Sequence, residues 1–188
     1  MKIAVVNLKG GSGKTLTSFF LATALAGRGR TLVVDADPQG SALSWAAGAE
    51  EDGGALPFAV VGLPTRDVHR RLGPMATDYE HVVIDTPPAE FGIARSALMA
   101  ADVALVAVPP TPIDLDRMIP TLELVADVED MTGLSLYVLL TRVRRISREG
   151  RDARDAMREM DLPLPSTPRP SDVPSGRWEI TRTSPGSC

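Results

Sequence analysis

Lys9-Gly10-Gly11-Ser12-Gly13-Lys14-Thr15 directly follows the apolar run Ile3-Ala4-Val5-Val6. A strand, then a glycine-rich loop, then a Lys-Thr pair opening a helix makes a phosphate cradle. Glycines let backbone N–H groups curl around phosphate oxygens where a Cβ would clash. In such a loop Gly10, Gly11, Ser12, Gly13, Lys14, Thr15 and Leu16 surround the nucleotide. Lys14 brings charge to the β- and γ-phosphates, and the Thr15 hydroxyl is a ligand for Mg2+. The common pattern opens with a glycine, which here would be residue 8. That position holds Leu8, and a second lysine, Lys9, follows it.

Two further strand ends carry acids. Val33-Val34-Asp35-Ala36-Asp37-Pro38-Gln39-Gly40-Ser41 sets two carboxylates at the end of an apolar run, facing the cleft where the loop opens. Asp35 is placed to support Mg2+ or its waters, and Asp37 to orient and polarise an attacking water. The plainer reading of this stretch alone is a helix-capping Asp before Pro38. His81-Val82-Val83-Ile84-Asp85-Thr86-Pro87-Pro88 repeats the design. An apolar strand ending in Asp85 is the Walker B pattern, with the carboxylate reaching Mg2+ through water. The double proline stiffens the turn that follows.

Around these motifs, apolar runs alternate with helical patterns. Strands are predicted over Lys2–Asn7, Thr31–Asp35, Phe58–Val61, His81–Asp85, Val103–Val108 and Leu134–Thr141. Helices are predicted over Lys14–Ala26, Ser41–Ala47, Thr65–Met75, Phe91–Ala100, Ile113–Met131 and Ser147–Met160. Short, uninterrupted, β-branched runs are those of strands buried on both faces. The expected fold class is therefore α/β: a doubly wound, mostly parallel sheet flanked by helices, with ligands at the carboxyl ends of the strands.

Composition agrees. The chain has 188 residues, 44% hydrophobic and 23% charged, a single-domain size. Aromatics are only 4%, so the core must rest on Val, Leu, Ile and Ala. The net charge of −4 means that any nucleic-acid contact needs a local patch. The one cysteine, Cys188, excludes a disulfide framework or an iron–sulfur cluster within one chain. No apolar run reaches the ~18 residues of a membrane span. A cytoplasmic, soluble protein without membrane contact is expected.

Taken together, Lys9-Gly-Gly-Ser-Gly-Lys-Thr, Asp35-x-Asp-Pro-Gln-Gly-Ser and Asp85-Thr-Pro-Pro resemble the ParA/Soj family of partitioning ATPases, within the deviant-Walker, MinD-like P-loop group. Val108-Pro-Pro-Thr-Pro-Ile-Asp114 also resembles a family segment. The likeness covers residues 1–164. It implies ATP and Mg2+ as cofactors and a homodimer in the ATP state. Lys9 matches the signature lysine that crosses to the partner's bound ATP. Lys14 and Thr15 match the phosphate and Mg2+ ligands, Asp37 the water-positioning residue, and Asp85 the Walker B aspartate. The resemblance also implies nucleoid association, non-specific DNA binding and a ParB-like or ribbon-helix-helix adaptor, in the service of plasmid or chromosome partition. The competing reading is a nucleotide-gated scaffold positioning cargo other than DNA, as in MinD-like spatial regulators. That route normally uses a C-terminal membrane helix, which this proline-rich end does not resemble.

Arg142–Arg158 carries seven arginines among Glu149, Asp152, Asp155 and Glu159. It reads either as a solvated, ion-paired helix face or as a DNA-contacting patch, with Arg144, Arg145 and Arg148 the best placed. Residues 165–188 break the pattern with prolines, Ser, Thr and Arg. They are expected to be a disordered tail or the product of a shifted reading frame. One shifted frame of a GC-rich back-translation of Gly176–Cys188 reads like an amphipathic domain ending. The latter case would make the chain a truncated, inactive product.

Overall fold

Among the described residues, six strands in the order β3-β2-β4-β1-β5-β6 form one sheet, and every pairing is parallel. The strands are β1 (Lys2–Val6), β2 (Thr31–Asp35), β3 (Ala59–Gly62), β4 (His81–Asp85), β5 (Val103–Val108) and β6 (Ser135–Leu140). The helices are α1 (Lys14–Ala26), α2 (Ser41–Glu51), α3 (Val68–Met75), α4 (Phe91–Met99), α5 (Pro112–Asp116), α6 (Ile119–Thr132) and α7 (Arg148–Glu159). The computed structural model describes residues 1–143, 148–160 and 162, without the side chains of Arg148 and Glu149. The DNA-contact candidates Arg144 and Arg145, the Arg148 side chain and the 165–188 tail lie outside the described residues.

Side chains of period two divide the core between the sheet's faces. Val6, Val34, Ile84, Val106 and Val138 face one way and bury against Leu72, Leu98, Val125 and Met157 of α3, α4, α6 and α7. Val5, Val33, Val83 and Ala107 face the other way, under Ala22 and Leu25 of α1 and Ala42 of α2. Phe19 joins α1 to its neighbours through edge contacts with Trp45 (5.5 Å) and Phe58 (5.4 Å). Central β1 has β4 on one side and β5 on the other, so the chain reverses direction across the sheet there. Ligands of such sheets bind in the crevice at this reversal, and the glycine loop leaves β1 into it.

Most predicted elements stand within two residues of their predicted bounds. The single helix expected over Ile113–Met131 is two helices. Pro112 and Pro120 each occupy a first-turn position, where a missing N–H costs nothing, so each starts a helix instead of lying within one. α2 runs past Gly48 to Glu51, and α3 begins at Val68 after an Asp67 turn that accepts from the Arg71 side chain.

Leu98 is fully buried on α4, whereas Phe20 on α1 is 69% exposed. Leu98→Ala is expected to cost about 2–5 kcal/mol. Phe20→Ala should stay within ~0.5 kcal/mol of the parent. Urea denaturation of both variants checks the difference.

Candidate functional site

The loop between β1 and α1 needs left-handed backbone at Gly11 (φ 73°) and Gly13 (φ 91°), which glycine adopts without a steric penalty. Gly13 is also the N-cap of α1 and offers its first turn no side-chain acceptor. A thirteen-residue helix thus presents an uncapped, dipole-positive end to the loop. Lys14 is 7% exposed, and its Nζ donates to the Lys9 carbonyl across the loop at 3.2 Å. Burial pushes the Lys14 ammonium below its ordinary value, while the charges of Asp85 and Asp37 pull it back up. The buried Ser12 hydroxyl has no hydrogen-bond partner among the described residues. The Ser12 carbonyl accepts from Thr141 Oγ1 at 2.8 Å, which ties the loop to the end of β6.

Asp85 lies beneath this loop. Its oxygens accept from Thr15 Oγ1 (2.7 Å) and Ser18 Oγ (3.1 Å). Burial pushes its carboxyl up to about 6, helped by the charge of Asp35 and opposed by the Thr15 and Ser18 bonds and the charge of Lys14. Asp35 is the register partner of Asp85 on the next strand and is fully buried. The sequence reading places Asp35 to support Mg2+ or its waters. Its two oxygens accept from the backbone amides of Asp37 (3.1 Å) and Leu43 (3.0 Å), which holds the β2–α2 turn, and its charge acts on Asp85. That turn carries Asp37, which accepts from the Gln39 amide at 2.9 Å.

The donor set suits Mg2+. A Thr hydroxyl and a carboxylate are hard oxygen ligands, and Mg2+ keeps several waters and takes substrate phosphates.

Leu8 and Lys9 are clamped from several elements. The Leu8 amide donates to Thr121 Oγ1 of α6 (3.1 Å), and its carbonyl accepts from the Ala89 amide (2.9 Å). Asn7 accepts from the Lys9 amide (2.8 Å) and donates to the Ala107 carbonyl at the end of β5 (2.7 Å). Lys9 Nζ is paired with Asp114 of α5. Burial alone would raise the Asp114 carboxyl, but bonds from Lys9 and Thr111 and the charges of Lys9 and Arg117 hold it below its ordinary value. Beside this pair is an open cleft of ≈ 340 Å3 lined by Lys9, Gly10, Gly11, Pro109, Pro110, Thr111, Asp114 and Arg142. Ala89 and Arg142 are the two non-glycine residues with positive φ among those described, both at 56°. One contacts Leu8 and the other lines the cleft, so backbone strain of about 1–3 kcal/mol each gathers around the loop.

The structure thus brings Lys9, Lys14, Thr15, Asp35, Asp37 and Asp85 to one end of the sheet. Leu16 is 48% exposed on α1. Sequence reasoning gives no site role to Asn7, Ser18, Thr111, Asp114, Thr121 or Thr141, although Thr111 and Asp114 lie in the Val108–Asp114 segment that carries part of the resemblance. Ser18 had a signal, because it follows Thr15 by three residues on one helix face. Within the arginine segment, Arg158 pairs with Asp155 at 3.0 Å, as the solvated-face reading expects. Gly150, Ala153 and Met157 bury the opposite side of α7. Among the described residues no helix is long and apolar enough to cross a membrane.

Comparison with known proteins places this geometry in a lineage. A maintenance of carboxysome distribution protein A from Gloeobacter kilaueensis is 43% identical over 145 residues, covering 75% of this chain and 62% of that protein. A chromosome partitioning protein ParA from Myxococcus xanthus is 32% identical over 143 residues, covering 55% of this chain and 50% of that protein. The chain therefore spans about half to three-fifths of the length of these relatives. A solved structure of a cobyrinic acid a,c-diamide synthase from Mycobacterium smegmatis, with a bound ATP analogue and magnesium, shares the fold at a TM-score of 0.75. It is 20% identical and covers 89% of this chain and 86% of its own. The sequence matches the CobQ/CobB/MinD/ParA nucleotide-binding domain over residues 3–170, and the chain belongs to that family.

Proposed function

We propose that this chain is a Mg2+-dependent ATPase that works as a nucleotide-gated homodimer and positions cargo inside the cell. The observation that carries this reading is the convergence of Lys14, Thr15, Asp37 and Asp85 on one loop that also bears Lys9. The uncapped end of α1 and Lys14 bind the phosphates. Thr15 and Asp85 would hold Mg2+, which supplies charge neutralisation across the β- and γ-phosphates. Asp37 orients a water whose oxygen forms a new bond to the γ-phosphorus as the β–γ bridging bond breaks, releasing ADP and phosphate. Lys9 serves a second copy, so turnover and dissociation are linked.

The Gloeobacter relative favours a protein assembly as cargo. The Myxococcus relative favours the second reading, DNA partition with a ParB-like or ribbon-helix-helix adaptor. Phosphate release by the full chain, with and without duplex DNA and a ParB-like adaptor, separates the two: turnover stimulated by DNA together with the adaptor supports partition, and turnover that the adaptor does not change supports a protein cargo. Lack of any nucleotide-dependent turnover removes the ATPase reading.

Lys14→Ala should reduce ATP affinity by at least tenfold, read by a fluorescent ATP analogue, because it deletes a buried phosphate cation. Asp37→Ala should bind ATP and dimerise while losing ~100-fold or more in turnover. Normal hydrolysis by that variant would remove Asp37 from the water.

The Asp85 carboxyl, raised from 3.8 to about 6, predicts a pH effect in protein free of nucleotide and Mg2+. The folded state holds an extra proton between ~pH 4 and ~pH 6, so this group's contribution to stability falls as pH rises through that window. Asp85→Asn should therefore stabilise the nucleotide-free protein at pH 7.5 by up to ~3 kcal/mol. The gain should shrink at pH 4.5, as urea midpoints in EDTA would show. An equal gain at both pH values would count against a buried, uncompensated charge.

A further inference from the structure

Asp114 lies 105 residues from Lys9 in sequence, yet it takes the Lys9 ammonium. Its seat is built. Thr111 caps α5, accepting from the Asp114 amide (3.2 Å) and donating its hydroxyl to Oδ2 (2.5 Å). That bond fixes the carboxylate and leaves Oδ1 for Lys9. Pro109, Pro110 and Pro112 limit the freedom of the chain that carries the seat. The Asp114 side chain is 9% exposed and that of Lys9 26%, so the pair is more sheltered than a surface ion pair. It also borders the open cleft beside the glycine loop. The ammonium has three N–H donors, but a lysine side chain anchored on its own protomer's carboxylate has to leave that seat to extend to an anion on a second copy.

We propose that Asp114 is the positioning residue for Lys9. It holds the ammonium against its own protomer until a nucleotide-loaded second copy competes it away, and so sets the ATP concentration at which the dimer forms. This rests on the reading of Lys9 as the residue that serves a second copy. A charge-assisted bond of this kind corresponds to about tenfold or more in an equilibrium constant.

The test is the midpoint for dimerisation of the full chain, titrated with a slowly hydrolysed ATP analogue and Mg2+ in sedimentation velocity. Asp114→Asn should lower that midpoint about tenfold while ADP affinity stays at the parent value, a split that loss of packing would not produce. Thr111→Val should move it the same way by a smaller factor, and Thr111→Ser, which keeps the hydroxyl, should leave it in place. An unchanged or raised midpoint in folded Asp114→Asn overturns the proposal. If Asp114→Asn does not fold, the Thr111 pair decides: equal midpoints for Val and Ser overturn it. Lys9→Ala keeps the two readings apart. Loss of dimer in Lys9→Ala with no shift in Asp114→Asn removes only the Asp114 role. A Lys9→Ala dimer like that of the parent removes the dimer reading, and the Asp114 role with it.

Discussion

Two carboxylates buried side by side are the constraint around which the site is arranged. Asp35 and Asp85 are register partners at the ends of adjacent parallel strands, both almost wholly buried. Water cannot solvate them there, so the protein must supply each with donors. For Asp35 the donors are two backbone amides, at the turn after β2 and at the start of α2. For Asp85 they are two hydroxyls from the first turns of α1, with Lys14 close enough to act through its charge. Meeting this one demand fixes where α1 and α2 begin, and hence the shape of the loop between β1 and α1.

That arrangement leaves the carboxylate array incompletely compensated. The charges of Asp85 and Asp37 both act on one ammonium, Lys14, which burial depresses, and Asp35 adds its charge to that at Asp85. A divalent cation beside Thr15 and Asp85 would offset the carboxylate charge, while Lys14 and the N-terminal end of α1 would answer the charge of the phosphates. The strain at Ala89 and Arg142 belongs to the same economy of a site built for use rather than for stability.

Local chemistry made much of this readable before any coordinates. Glycines at 11 and 13 mark a backbone that other residues resist, and an acid closing an apolar run marks a strand end at the ligand side. The bounds of α1, β2, β4 and β5 follow from such signals. The division between α5 and α6 did not, because apolar spacing runs through Arg117 and Met118 while Pro120 is compatible with a helix start as well as a kink. The place of Asp35 at a strand end is legible in the sequence. Its bonds to two amides are not, because they depend on how α2 folds back over the strand. The loop contacts of Asp114 and Thr121 are illegible for a similar reason: each meets the loop only after more than a hundred residues of chain have crossed the sheet and returned.

Leu8 stands between two pinned peptide planes. The plane before it is held by Thr121 and the plane after it by Ala89. A glycine at that position would have a wide choice of backbone angles; a leucine between two anchored planes has almost none. Neither dihedral can turn without breaking a hydrogen bond to α6 or to the segment after β4. The residue therefore works as a rigid coupling, joining the 86–90 segment and α6 to the Lys9 peptide with no slack in its own dihedrals.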